Sequence, residues 1–291
     1  MAGKVLHLSH RGRGFAVLDH PAVSEVLPNF TGPFEAATLD VFDAVLPACD
    51  TMLDVGAHVG LTALYATAHG VSVTAFEPNP DTLDLLKENL RLNPSLAERI
   101  TVVGAALSDT AGEAVLYAKA AADSGSSLHR TIERSGVLNG RAVGVVPLLD
   151  AATVLGALPL SPRTLIKLDT EGAEYRILPR IAALLADVRP VLHVSFHPFN
   201  IVAGGDAYAT QLSRLRAAFD VAAALACYDF LYVFADGRWN RFGVADRIDL
   251  LRSYLLSPKR LPGIGSPQYG FVDAWAFAPH PIAMLDQRMA A

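Results

Sequence analysis

The sequence predicts an α/β fold, a doubly wound and mostly parallel sheet of seven strands with an antiparallel insert between the third and fourth. Three observations predict it. From residue 51 onward short apolar runs alternate with helix-like segments, the order that lays parallel strands side by side with helices on both faces. The alternation breaks once, over residues 109–163, where two strand-like runs flank a polar, turn-rich stretch. Finally, "TMLDVGAHVG" (51–60) and "FEPNP" (76–80) place acids and glycines after the first two strands, at the strand ends where such sheets bind ligands.

The elements follow in order. "TMLDVG" (51–56) is an apolar run stopped by glycine, a buried strand, and "LTALYATAHG" (61–70) a helix ending at Gly70. "VSVTAFE" (71–77) is the second strand. "NPDTLDLLKENLRLN" (79–93) is a helix: Asn79 can cap it, Pro80 suits its first position, and Leu83, Leu86 and Leu90 share one face. "ITVVGAAL" (100–107) is the third strand. Within the insert, "GEAVLYA" (112–118) and "RAVGVVPL" (141–148) read as antiparallel strands around a mobile loop, "ADSGSSLHRTIERSGVLNG" (122–140). "LLDAATVLGAL" (148–158) is a helix. "TLIKLD" (164–169) is the fourth strand, followed by a helix from Ala173 that Pro179 kinks or restarts. "PVLHVSF" (190–196), "DFLYVFADG" (229–237) and "FVDAWAFAP" (271–279) are the remaining strands, with the helix "AYATQLSRLRAAF" (207–219) among them. Residues 1–49 read as an N-terminal cap and 50–291 as the sheet domain carrying the insert, one compound domain.

Hydrophobic residues make up 52% of the 291, enough for a large core. The net charge of −5 and the lack of a long basic run suggest no grip on a nucleic-acid backbone. Cys49 and Cys227 form no C-x-x-C pair and sit near no histidine at metal spacing, so they read as reduced core residues. The N-terminus lacks a signal-like apolar run, and runs such as "VAAALACYDFLYVF" (221–234) are too short and interrupted for a membrane span. A cytoplasmic protein without a membrane or nucleic-acid partner is expected; self-association stays open.

Asp54 and Gly56 close the first strand, Gly60 lets the next helix pack closely, and Glu77 closes the second strand. A carboxylate there can accept both ribose hydroxyls of an adenosine. A dinucleotide fingerprint would want glycines at positions 58 and 61, which hold His58 and Leu61; no P-loop lysine follows either. An acid with G-x-x-x-G suits S-adenosylmethionine, whose carboxylate can meet the helix N-terminus after Gly56 and whose ammonium can meet acidic or carbonyl groups near Asp54. The plainer alternative makes these glycines ordinary turns.

The segments "LDVGAHVGLTALYA", "FEPNPDTLDLLKENLRLN", "GAALSDTAGEAVLYA", "SGSSL" and above all "IKLDTEGAEYRIL" occur in that order over residues 53–178. In this the sequence resembles the FkbM-type S-adenosylmethionine-dependent methyltransferases. The resemblance implies a class I methyltransferase (Rossmann-like) fold and O-methylation of a sugar or natural-product hydroxyl. By position it assigns the cofactor to Asp54, Gly56, Gly60, Glu77 and the "ALS" of Ala106, Leu107 and Ser108, with Ala57, His58, Pro78 and Asn79 in the same loops; for His58 the backbone matters more than the ring. It makes "SGSSL" (124–128) a lid. Its usual acid-then-histidine pattern on the fifth strand departs here, where "VLHVSFHPF" places Ser195 at the acid's position.

Lys167, Asp169, Glu171, Gly172 and Glu174 form the most family-specific segment. Lys167 and Asp169 point to one face, and a Lys167–Asp169 or Lys167–Glu171 pair would offset the cost of burying charge. The bland alternative is a structural ion pair and a helix start. On the fifth strand Val191, His193, Ser195 and His197 share a face. His197, nearest the carboxyl end, is the first candidate general base, with an ordinary imidazole pKa of about 6.5; Asp169 or Glu171 is the alternative, with Lys167 beside them. His193 reads as a core residue. A divalent metal on Asp169, Glu171 and His197 is left open. The expected function is O-methylation of a small-molecule hydroxyl. The alternatives are an NAD-type oxidoreductase, which the glycine spacing disfavours, and a non-catalytic cofactor-binding protein.

Overall fold

The computed structural model describes residues 4–24, 36–119, 122, 125–128, 131–132, 138–201, 206–235, 237–256 and 274–289. It starts with an antiparallel hairpin, β1 (Val5–His10) and β2 (Arg13–Leu18), and helix α1 (Ala36–Val45). The alternating section follows: β3 (Thr51–Val55), α2 (Leu61–Ala68), β4 (Ser72–Phe76), α3 (Pro80–Arg91), α4 (Pro94–Ala97) and β5 (Ile100–Val103). The insert holds β6 (Ala106–Ser108), β7 (Gly112–Ala118), the short β8 (Thr131–Ile132) and β9 (Leu138–Asn139), and β10 (Arg141–Asp150). Then come α5 (Ala151–Gly156), β11 (Thr164–Leu168), α6 (Glu174–Arg180), α7 (Ala182–Val188), β12 (Val191–Val194), α8 (Ala207–Ala224), β13 (Phe230–Ala235), β14 (Arg238–Phe242), α9 (Arg247–Leu256), β15 (Ala274–Ala278) and α10 (Ala283–Met289).

The main sheet runs β14-β13-β15-β12-β11-β3-β4-β5. β12, β11, β3, β4 and β5 are parallel neighbours, whereas β15 pairs antiparallel with β12 and β13, and β14 antiparallel with β13. The α/β class and the mostly parallel sheet are as expected, but among the described residues the sheet has eight strands, not seven. The extra one, β14, is the polar edge run "RWNRF" with only Trp239 buried, so no apolar alternation announces it. "ITVVGAAL" is not one strand either. It breaks at Gly104: Ile100–Val103 stay in the main sheet, and Ala106–Ser108 join a separate sheet of order β6-β10-β7. A side chain at Gly104 would meet the Leu83 side chain at 2.8 Å, so helix α3 packs directly on the break.

Asn79 caps α3 by accepting from the Asp81 N–H, with Pro80 at the first position. Pro179 lies in the last turn of α6, and α7 restarts at Ala182.

Alternation along the strands divides the core in two. Leu53, Val55, Ile166, Leu168, Leu192, Val194, Trp275 and Phe277 face α5 to α9, while Met52, Val73, Ala75, Leu165 and the alanines Ala274, Ala276 and Ala278 face the hairpin, α1, α2 and α3. The small side chains of β15 make room for α1. On this second face the register aligns Asp54, Lys167, His193 and Ala276 in one row across four strands, a polar line through an otherwise apolar layer. Among the described residues no helix is long and apolar enough to cross a membrane.

Candidate active site

The β3–α2 and β4–α3 loops form one wall. The Glu77 side chain is buried, and its two oxygens accept the backbone N–H groups of His58 (2.9 Å) and Asn79 (2.8 Å). Burial pushes its carboxyl up to about 7, against the lowering pull of those N–H groups and of Lys167. Gly56 and Gly60 have φ of 83° and 87°, and His58, between them, has φ 50°. A Cβ on Gly56 would lie 1.8 Å from the Asp169 carbonyl oxygen, so the β3 and β11 exit loops touch backbone to backbone. Pro78 is half-buried and Ala57 buried within the same wall.

Asp54 is fully buried. One oxygen accepts from Thr62 Oγ1 (2.6 Å) and the other from Lys167 Nζ (3.1 Å), which also donates to the Gly56 carbonyl (2.9 Å). Cross-strand register explains the pair, since Lys167 lies directly opposite Asp54. The nearest carboxylate to Lys167 is thus Asp54, and the expected pair with Asp169 is also present, at 3.8 Å. Asp54 shapes the loop from beneath, through Lys167 and Thr62, and is not open to a cofactor ammonium. Removing one member of such a buried pair costs about 3–5 kcal/mol.

The second wall is the turn after β11. Glu174, fully buried at the start of α6, accepts from Thr170 Oγ1 (2.8 Å) and the Gly172 N–H (2.9 Å) on one oxygen. Its other oxygen accepts the His197 N–H (2.7 Å) and lies 3.2 Å from His197 Nδ1. His197 Nε2 faces Asp169 Oδ1 at 3.6 Å and Glu171 Oε1 at 3.4 Å. Asp169, Glu171 and His197, all half-buried, bring their ligand-forming atoms within 4.8 Å of one another. Burial opposes charging of His197, but Glu171, Glu174 and Asp169 outweigh it and raise its pKa to about 10. This departs from the expected base titrating in the ordinary imidazole range. Burial also raises Glu171, while Glu174 is held below the usual range by His197 and its N–H partners despite burial. Glu171 has φ 50°, a backbone conformation that costs a non-glycine residue on the order of 1–3 kcal/mol. Its carbonyl is anchored by Ser127 Oγ (2.7 Å) and Asn200 Nδ2 (2.8 Å), and Asn200 Nδ2 also reaches Glu171 Oε2 (3.0 Å).

Described parts of the insert cross both walls. The Ala122 carbonyl lies 3.2 Å from His58 Nε2, Ser126 Oγ accepts from Asn79 Nδ2 (2.9 Å), and Ser127 holds Glu171. Ser124 of the expected lid lies outside the described residues. Ala106, Leu107 and Ser108 are buried; Leu107 packs in the core with Val55 and Phe76, and Ser108 Oγ donates to Asp109.

His193, in contrast, is a core residue. It is fully buried, 3.2 Å from Thr38 Oγ1 through Nε2 and edge-on to Phe42 of α1. Burial, with Lys167 beside it, lowers its pKa to about 4. Cys49 is similarly quiet, since burial pushes its thiol up to about 11. Two residues escaped sequence reasoning about the site. Glu174 was visible in the motif, but an acid in a first helical turn is ordinary. Asn200 lies in a loop after the fifth strand and carried no signal.

No curated protein matches the chain. Among solved structures it is similar to methyltransferase FkbM from Methylobacillus flagellatus KT, at 21% identity and TM-score 0.35, covering 51% of this chain and 33% of that one. It is also similar to monomeric WbdD, at 12% identity and TM-score 0.43 with 91% and 45% covered, and to the SAM-dependent methyltransferase of Agrobacterium tumefaciens, at 13% and 0.35 with 73% and 57% covered. The chain thus spans less than two thirds of the length of each. The model of the methyltransferase FkbM domain matches residues 54–225, more than half of the chain and the stretch that holds both walls of the site. The chain belongs to the FkbM methyltransferase family.

Proposed function

We propose that the chain transfers a methyl group from S-adenosylmethionine to a hydroxyl of a small molecule of the sugar or natural-product class. The observation that carries this reading is the backbone contact between Gly56 and Asp169. It brings the Glu77 wall and the carboxylate–imidazole wall to one end of the sheet, so that a donor on the first faces an acceptor on the second. The residues fit the cofactor. Each Glu77 oxygen holds one N–H, leaving acceptor capacity for the ribose hydroxyls. Helix α2 starts at Leu61, after the N-cap Gly60 and with no side-chain cap, so its first N–H groups suit a carboxylate.

S-adenosylmethionine supplies a methyl already activated on a sulfonium. The protein's share is to hold the acceptor in line and to take its hydroxyl proton; positioning alone can supply on the order of 7–11 kcal/mol. Asp169 is the most open member of the group, with its side chain 33% exposed against 14% for His197. It meets the hydroxyl, and His197, fixed by Glu174, orients it. The Thr38–His193 contact supports residues 1–49 as a cap on the sheet domain.

Calorimetric titration with S-adenosylhomocysteine and with NAD tests the cofactor; binding of NAD alone would favour the oxidoreductase reading. With an acceptor found by screening hydroxyl compounds for the mass gain of one methylation, Asp169→Asn and His197→Ala should each lower turnover by roughly 10²–10⁴ at unchanged cofactor affinity. Near-normal turnover of both variants would take the proton-transfer role away from this group.

A further inference from the structure

We propose that Asp169, Glu171 and His197 bind one divalent transition-metal cation. Two carboxylate oxygens and one imidazole nitrogen form a mixed set that suits manganese, iron, cobalt or zinc better than calcium. The inference places the cation where the reading above places the acceptor hydroxyl, and its test does not require methyl transfer.

The spacing fits. His197 Nε2 stands 3.6 Å from Asp169 Oδ1 and 3.4 Å from Glu171 Oε1. Two atoms bound about 2.1 Å from one ion at angles of about 90–110° are about 3.0–3.4 Å apart. The ring is also prepared for this role. Nδ1 faces Glu174 Oε1 at 3.2 Å, and an ionised carboxylate only accepts, so Nδ1 carries hydrogen and Nε2 is the atom turned to the two carboxylates. A carboxylate behind a ligating histidine is the usual supporting partner in metal sites. Nε2 thus faces both carboxylates, so that one cation among the three would be held by all of them.

A separate observation points to a ligand at the same place. Asn200 is 5% exposed, and its amide nitrogen donates to Glu171 at the edge of the group. Its Oδ1 is buried with no hydrogen-bond partner among the described residues. A water on a bound cation can donate to that oxygen.

The test is manganese binding by the full chain after chelator treatment, followed by loss of the free-ion electron paramagnetic resonance signal. One saturable site per chain is expected. Asp169→Asn and Glu171→Gln should each weaken it at least tenfold, and Glu174→Gln, which loosens the support of His197 and of the Thr170–Gly172 turn, by about 10–100-fold. Glu77→Ala should leave it unchanged. Circular dichroism establishes that each variant is folded; Asp169→Asn, at a partly exposed position, is the variant least exposed to misfolding. Absence of saturable binding, or equal binding by wild type and Asp169→Asn, overturns the site and leaves a protonated His197. S-adenosylhomocysteine titration of the same metal-free samples separates the two claims: cofactor binding without manganese binding refutes the cation alone.

Discussion

Glu77 is a carboxylate kept almost out of water and held by two backbone N–H groups. Its carboxyl is raised from 4.5 to about 7, chiefly by burial, so the folded state holds this proton more tightly than the unfolded chain. The associated stability is fully present below pH 4.5 and is lost as pH rises through about 7. Wild type should therefore lose stability relative to Glu77→Gln between about pH 5 and pH 8, by an amount on the order of 3 kcal/mol. Urea unfolding across that range measures it, and parallel curves would mean the carboxyl is not strained. The same residue has the opposite value for ligand binding. Glu77→Ala should weaken S-adenosylhomocysteine binding by about 1.5–3 kcal/mol, and unchanged calorimetric affinity would remove it from the pocket.

At the level of elements, the exit loops are set by glycines with different duties. Gly56 and Gly70 both have positive φ, 83° and 89°, but a side chain at Gly70 meets nothing within 4 Å, while one at Gly56 meets the Asp169 carbonyl. Gly70→Ala should cost only the left-handed backbone term, about 1–2 kcal/mol. Gly56→Ala should cost distinctly more in denaturant unfolding and also impair the site, because β3 and β11 must separate. Equal losses would show that the two loops can part freely. Ala122, Ser126 and Ser127 of the insert touch both walls, through His58, Asn79 and Glu171. Cleavage by a protease between Ala122 and Leu128 should slow when cofactor and acceptor are present together; identical cleavage would make it an ordinary surface loop.

At the scale of the molecule, the row Asp54–Lys167–His193 runs from the site to Thr38 of the N-terminal segment. His193 is lowered to about 4, first by burial and then by Lys167. Its stability is complete above the ordinary imidazole value of about 6.5 and is lost as pH falls toward about 4. His193→Gln, which keeps a polar partner for Thr38, should flatten the acid side of the stability profile in urea unfolding between those limits. An unchanged profile would place acid sensitivity elsewhere. His69, also lowered to about 4 by burial and by Arg13, is the next residue to change.

Much of this was legible in the chain. The alternating runs determined the α/β class, and the acid-and-glycine pattern at residues 54–60 and 77 marked the ligand-binding end, because local periodicity and turn chemistry are written residue by residue. The "IKLDTEGAE" segment likewise pointed to Asp169, Glu171 and, through the next strand, His197. What remained hidden depends on register and on burial. Only strand pairing places Lys167 opposite Asp54, only the packing of three carboxylates around His197 removes it from the ordinary imidazole range, and only the loop after β12 brings Asn200 to Glu171. The strand break at Gly104 and the edge strand β14 were missed for the same reason: a short strand's partner is chosen by residues far away in sequence, and its own residues carry little record of that choice.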